Sequence, residues 1–285
     1  MYSTGCKRLV GRGSIKFDRE VEMSMYVQRE KQKSKYSNNV VDFIGATKGS
    51  DGHYNSLCMQ HGGDDLFTVL EEKKLSTDDL TSITIDMLKG IDCFHGLSLV
   101  LGDVKIENFV VDAKGNGRII DLGTVEHENA AAHDIDTTAR NAPPEYFHTR
   151  IPRRQRRRNQ FHSPRAKSDD IWQAGVALFC AWFKFHPIQI ATAIKNDDYY
   201  HLLLHNKARV ASYVGASLRM AQQSTQTPGW VLPLLQKMMS INANQRPTIE
   251  QILSQLHKSG VVDEYTPTRT SAERHSKKRK YLQIS

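Results

Sequence analysis

The chain has 285 residues, 39% hydrophobic and 25% charged, with a formal charge of +8. That length suits one large domain or two lobes sharing a cleft, and the composition excludes wholesale disorder. Four cysteines, Cys6, Cys58, Cys93 and Cys180, stand singly with no C-x-x-C pair, which argues against zinc and against a disulfide framework and for a reducing compartment.

Met1 to Arg8 carries no apolar run and no glycine at position two, so neither a signal peptide nor a myristoylation site is expected. Phe17 to Val27 reads as an amphipathic helix. Val40 to Ile44 and Tyr54 to Met59 read as strands separated by a Gly/Ser/Asp turn. Ser76-Thr77-Asp78-Asp79 is a capping box with Asp in place of Glu, opening a buried helix to about His95. Leu97 to Leu101 and Phe109 to Val111 read as strands, Gly115-Asn116-Gly117 as a turn and Arg118 to Ile120 as a strand. From Ile171 the pattern is helical, with amphipathic segments at Trp230 to Ser240 and Thr248 to His257 and Pro247 at the start of the last. The most apolar window, Ile171 to Phe185, is too short to span a bilayer and reads as a buried helix. Strands early and helices late imply an α+β chain. Residues after about Gly260 are polar and basic and read as a loosely ordered tail.

The chemistry concentrates in Leu101-Gly102-Asp103-Val104-Lys105-Ile106-Glu107-Asn108 and in Asp121-Leu122-Gly123. Phosphoryl transfer with magnesium needs such a set: a carboxylate to orient the attacking hydroxyl, a cation for the phosphate and oxygen ligands for the metal. Ala142-Pro143-Pro144-Glu145 and Asp170-Ile171-Trp172-Gln173-Ala174-Gly175 follow. On these motifs the chain resembles the eukaryotic-type protein kinase superfamily.

The resemblance implies a two-lobed kinase-like domain over about 1–260, with a small β-rich lobe at about 1–60, a larger helical lobe at about 62–260 and a tail at 261–285. It implies ATP and magnesium as cofactors and transfer to Ser/Thr hydroxyls of a protein substrate. Asp103 takes the place of the catalytic base and Lys105 that of the phosphate-contacting cation; Asn108 and Asp121 would hold the metal. Glu145 would pair with Arg246, Asp170 would hydrogen-bond the catalytic-loop backbone, and Thr137 matches the threonine that touches the catalytic pair in Ser/Thr-directed kinases. Leu57 to Leu66 resembles the hinge: Met59 as gatekeeper, the backbone of Gln60, His61 and Gly62 reading adenine, and Asp64 or Asp65 reaching the ribose.

The start of the chain departs from the family. Glu20 fits the helix glutamate and Lys7 its lysine partner, which leaves no room for a Gly-rich loop. The other alignment takes Val10-Gly11-Arg12-Gly13-Ser14 as a degenerate loop and then lacks the lysine strand; Lys16 is a further candidate. With the phosphate lid incomplete, the alternative is a pseudokinase that acts as a scaffold or binding module. The usual His-Arg before the catalytic Asp is Leu101-Gly102 here, so the receiver for a phosphorylated activation loop is missing. A basic insert at about 149–166, including Arg153-Arg154-Gln155-Arg156-Arg157-Arg158, suits an acidic substrate, nucleic acid or nuclear import, or is a solvated loop. Phe161 alone is interleaved, which disfavours base stacking. Lys277-Lys278-Arg279-Lys280 also reads as a nuclear import signal, so the expected location is cytoplasm or nucleus.

Overall fold

The first helix, α1 (Ile15–Glu30), starts before and ends after the segment its apolar periodicity predicts. Val21, Ser24 and Val27 are its buried positions, three residues apart along one face. In this computed structural model the described residues are 6–10, 15–128, 130, 141–145, 166–188, 207–223 and 227–263.

Helix α1 lies against a three-stranded antiparallel sheet of β1 (Cys6–Val10), β2 (Phe43–Lys48) and β3 (Tyr54–Gln60), in the order β1-β3-β2. The central strand alternates as a half-buried strand should: Leu57 and Met59 point inward and form a small core with Val21 and Val41. Lys7 faces Met59 across the β1–β3 pair.

The strand expected at Val40 to Ile44 lies about three residues further on, at Phe43–Lys48. Val40 and Val41 are buried, yet they pair with the large lobe: Val40 bridges Ile119, and the Val41 N–H donates to the Ile119 carbonyl at 3.0 Å. Period-two hydrophobicity reports burial on a pleat and is blind to which sheet supplies the partner. Just before this segment Lys31, almost fully buried, donates through Nζ to the carbonyls of Val40 (2.9 Å) and Val41 (3.0 Å) and pairs with Asp42 Oδ1 at 2.8 Å. A buried ammonium is tolerated only with such a full set of acceptors. It ties the end of α1 to the chain entering β2.

Residues 61–63 cross to the large lobe. Gly63 has φ +115°, and a Cβ built there would lie 2.1 Å from the Val111 carbonyl oxygen, so only glycine fits the close approach. Beyond it come β4 (Asp64–Asp65) and α2 (Leu66–Glu72). Helix α3 (Thr77–Gly96) begins with the expected capping box, Ser76 and Asp79 exchanging hydrogen bonds. Strands β5 (Leu99–Val100) and β8 (Glu126–His127) form one antiparallel pair, and β4, β6 (Phe109–Val111) and β7 (Gly117–Ile119) a second small sheet. Helix α4 (Lys167–Phe183) starts four residues before the predicted Ile171, because the Asp169 carboxylate accepts from the Ala166 N–H and caps it. Helices α5 (Lys207–Ala221), α6 (Val231–Met238) and α7 (Ile249–Lys258) complete the large lobe. Trp172, Leu178 and Phe179 of α4 are buried to 0% exposure at the centre of its core.

A small sheet with one helix and a larger helical body, each with its own apolar core, make the two-lobed α+β architecture expected from the motifs. Cys58 is disulfide-bonded, its partner lying outside the described side chains, while Cys93 and Cys180 are free thiols. The sequence argued against a disulfide framework, and this single bridge on β3 was not foreseen, since cysteines isolated in sequence can still meet in space. No helix among the described residues is long and apolar enough to cross a membrane. Of the basic insert only Ala166, and of the tail only residues 261–263, lie within the described residues, and Val262 joins the core of the large lobe.

At the start of α1, Asp18 accepts from the Tyr54 N–H at 2.7 Å and meets His53 Nδ1 at 2.5 Å. The hydrogen bond with Asp18 raises the His53 pKa above its ordinary value, and the one with His53 lowers that of Asp18. The raised histidine contributes stability fully present below its unfolded pKa of 6.5 and lost as pH rises through the folded value. The pair is partly solvated, so the effect is small. Thermal midpoints measured across the range from about pH 5.5 to about pH 8.5 should fall more steeply for the wild type than for His53→Ala; parallel curves would remove the pair from the stability of the small lobe.

Candidate active site

Residues 101–108 have little regular structure of their own, so their backbone groups need partners from elsewhere. Helix α4 supplies most of them. The carboxylate of Asp170, 0% exposed, accepts from the Leu101 N–H (2.8 Å), the Gly102 N–H (2.8 Å) and His95 Nε2 (2.9 Å). One turn on, the Gln173 amide accepts from the Val104 N–H (2.9 Å) and donates to the Gly102 carbonyl (3.0 Å). Thr124 Oγ1 donates to the Leu101 carbonyl at 2.8 Å, and Asn108 Nδ2 to the Asp103 carbonyl at 3.1 Å. Gly102 has φ +78°, a left-handed conformation that glycine adopts at no steric cost.

This scaffold presents Asp103 beside Lys105, with Nζ 2.6 Å from Asp103 Oδ2 and both side chains mostly shielded from water. A short 3-10 turn, Ile106–Asn108, brings Asn108 back over the loop. Asp103, Lys105, Asn108 and Asp121 line one small cavity, floored by Met87, Val104, Phe109 and Ile119. Asp121 sits at φ +63°, a strained conformation for a residue other than glycine, held where strain concentrates in functional sites. Its Oδ1 accepts from the Gly123 N–H at 3.2 Å.

From the small lobe, α1 brings Glu20 up to the same region. A Cβ built at Gly123 would lie 3.4 Å from the Glu20 carboxylate. Burial, followed by repulsion from Asp121, pushes the Glu20 pKa up. Two contacts seat the helix. Arg19 Nη2 meets Glu126 Oε1 at 2.8 Å, and Tyr26 packs edge-on against His127, ring centroids 5.4 Å apart. Both partners lie on β8, directly after the Asp121 segment. These contacts have no signature in the sequence, since nothing local links residue 19 to residue 126.

The residues expected to form the hinge lie at the end of β3 and just beyond it. Met59 is buried at the end of β3, Gln60 and His61 are exposed, and Gly62 is buried. Asp65 is the N-cap of α2, its carboxylate accepting from Thr68 N–H and Oγ1 at 2.9 Å each, which competes with any reach toward a ribose. Asp64 is exposed, 3.9 Å from Lys73. Lys7 lies on β1 at the gatekeeper's register, and its side chain is outside the described residues, as are Gly11 to Ser14 and Thr137. Lys16 is exposed, and its charge lowers the Glu20 pKa, the smallest of the three influences on that group.

Glu145 and Arg246, 101 positions apart, meet through two parallel bonds of 2.6 and 2.8 Å. The guanidinium also donates to the carbonyls of Ser240 and Ser168 and lies 5.0 Å from the centroid of the Trp172 ring. The pair therefore fastens the segment after the active site to α4, which carries Asp170 and Gln173.

A small β-rich lobe set against a larger helical one is the architecture of a protein kinase domain. The chain belongs to the protein kinase domain family, whose model matches residues 14–257. Among its curated relatives, the serine/threonine-protein kinase PSK2 of Saccharomyces cerevisiae is 24% identical over 218 residues, 75% of this chain and 17% of that protein. PSK1 of the same yeast is 30% identical over 136 residues, 47% of this chain and 9% of that one. Human ribosomal protein S6 kinase alpha-1 is 30% identical over 122 residues, 41% and 15% of the respective chains. This chain thus spans less than a fifth of the length of each of these three.

Removing one side of the Glu145–Arg246 pair strands the other. Arg246→Met should lower the unfolding free energy by about 2 to 4 kcal/mol, below the fully buried range because Glu145 keeps some water contact. Urea denaturation reads this directly, and a loss within error of zero would show the pair to be dispensable.

Proposed function

We propose that this domain transfers the γ-phosphoryl group of ATP to a Ser or Thr hydroxyl of a protein substrate. The observation that carries the reading is the convergence of Asp103, Lys105, Asn108 and Asp121 on one cavity. Asp103 orients the acceptor hydroxyl and takes its proton late, as charge builds on the transferring group. Lys105, already within hydrogen-bond reach of Asp103, neutralises charge on the phosphoryl oxygens. Pairing with the lysine also limits where the carboxylate can point.

The residues present fit magnesium. Asn108 donates through Nδ2 to the loop, which leaves its Oδ1 for a cation, and Asp121 offers an exposed carboxylate to the same cavity. One amide and one carboxylate are too few for an all-protein cage, and magnesium favours that situation because it keeps waters and phosphate oxygens. When bound, it would neutralise the phosphate charge. Burial and then the Asp121 carboxylate raise the Glu20 pKa, and a cation placed beside Glu20 would offset both influences.

A second, larger cavity of about 570 Å³ adjoins the catalytic turn. Phe67, Leu70, Ile106 and Phe185 give it apolar walls, and Glu71 and Glu107 add carboxylates at its lining. Its position next to Asn108 suits the flanking side chains of a polypeptide acceptor.

Incubation with labelled ATP, magnesium and a mixture of Ser/Thr peptides tests the reading. Asp103→Ala should lose about a hundredfold or more of the wild-type rate, the contribution of a positioned base. Equal incorporation in both would reject the assignment and leave the binding-module alternative.

The absence of any side chain at Gly102 supports a second expectation. Helix α1 is held to β8 by the encoded pair Arg19–Glu126, with no phosphate needed to draw the two together. Treatment with a protein phosphatase should leave the rate unchanged, and loss of most of the activity would contradict this.

A further inference from the structure

We propose that Gln173 is a positioning residue that fixes the backbone torsions of Asp103, and through them the direction in which its side chain leaves the loop. The proposal rests on the reading above for its catalytic consequence, but not for the clamp itself. Two hydrogen bonds of the Gln173 amide go to different peptide planes. One reaches the carbonyl of the Gly102–Asp103 plane, and the other the N–H of the Asp103–Val104 plane. Those two planes meet at the Asp103 α-carbon, and the angle between them is set by φ and ψ of that residue alone. A single rigid amide that grips both planes therefore sets the direction of the Asp103 Cα–Cβ bond, with Asn108 holding the carbonyl of the second plane and Lys105 the carboxylate itself.

Three observations say that the loop needs such a grip. Gly102, immediately before Asp103, has no side chain and sits at positive φ, so the chain there has more freedom than any other residue would allow. Asp170 holds the N–H groups of Leu101 and Gly102 but nothing on the far side of Asp103 among its hydrogen bonds. Gln173 is 0% exposed, and a buried side-chain amide is retained at a cost unless both of its ends are paired. The position lies three residues after Asp170 on α4, so one face of one buried helix sets both halves of the loop.

Two variants of the full chain test this. Gln173→Met keeps the length and loses both bonds, and Gln173→Glu keeps the shape and the acceptor but loses the donor. In hydrogen exchange, the Val104 amide should exchange about tenfold or more faster in Gln173→Met, with the rest of α4 unchanged, because only a local opening is released. In steady-state kinetics, kcat per nucleotide-binding site should drop about tenfold to a hundredfold while the KM for ATP stays put, as expected for a small misplacement of the reacting group. A residue that merely filled space would lower the amount of folded enzyme and leave kcat per site intact.

If Gln173→Met does not fold, Gln173→Glu carries the test: Val104 stays protected, and kcat per site still drops. Unchanged kcat per site in a folded variant overturns the proposal, as does unchanged Val104 exchange in Gln173→Met. Should the wild type itself show no turnover above Asp103→Ala, the phosphoryl-transfer reading fails separately. The exchange measurement on Gln173→Met, or on Gln173→Leu if that does not fold, then decides the clamp by itself.

Discussion

The Asp170 carboxylate, shut off from water at the heart of the large lobe, accepts three hydrogen bonds, two of them from the backbone just before Asp103. A buried carboxylate with fewer partners would cost several kcal/mol. Loop and helix therefore depend on each other: the loop has no ladder to satisfy its N–H groups, and the carboxylate has no solvent. From this contact the rest of the site follows by attachment. Helix α4 is held by the apolar core around Trp172 and Phe179, and Arg246 ties it to Glu145 from below. The loop then projects Asp103, Lys105 and Asn108 upward, into the cavity reached by Asp121.

The small lobe is organised on a different principle. Its core of Val21, Val41, Leu57 and Met59 is slight, and polar ties make up the difference. Lys31 draws in the carbonyls of Val40 and Val41, Asp18 holds the β2–β3 turn, and Arg19 and Tyr26 seat α1 on β8. The last two bridge the lobes, so the position of Glu20 against Asp121 is set partly by contacts with the large lobe. Helix α1 also sends Val27 into the main core, with Met23 and Tyr26 packed against it, so apolar as well as polar contacts join the two lobes.

The departures at residues 101 and 102 take on meaning against this framework. Leucine at 101 is buried, with its backbone N–H on Asp170 and its carbonyl on Thr124. Glycine at 102 removes a cationic side chain and accepts a left-handed turn. The amide of Gln173 meets the Gly102 carbonyl and the Val104 N–H, so helix α4 braces the loop on both sides of Asp103.

Much was legible before any coordinates. The capping box at Ser76 and Asp79, the central strand Tyr54 to Gln60 and the final helix from Thr248 are local events, written in residues that touch their neighbours in the chain. The spacing of Asp103, Lys105, Asn108 and Asp121 was legible for the same reason: a turn and a short hairpin separate them. Other features had no local signature. Val40 and Val41 read as a strand of the small sheet, but their partner is Ile119, seventy-nine and seventy-eight positions away. Gln173 in a helical run looks like any polar residue until the fold brings Gly102 and Val104 against it. Sequence determines what each segment can form, because propensity, caps and periodicity act over a few residues. Which buried polar group meets which backbone is decided only when distant segments compete for the same interior, where every hydrogen-bonding group must find a partner.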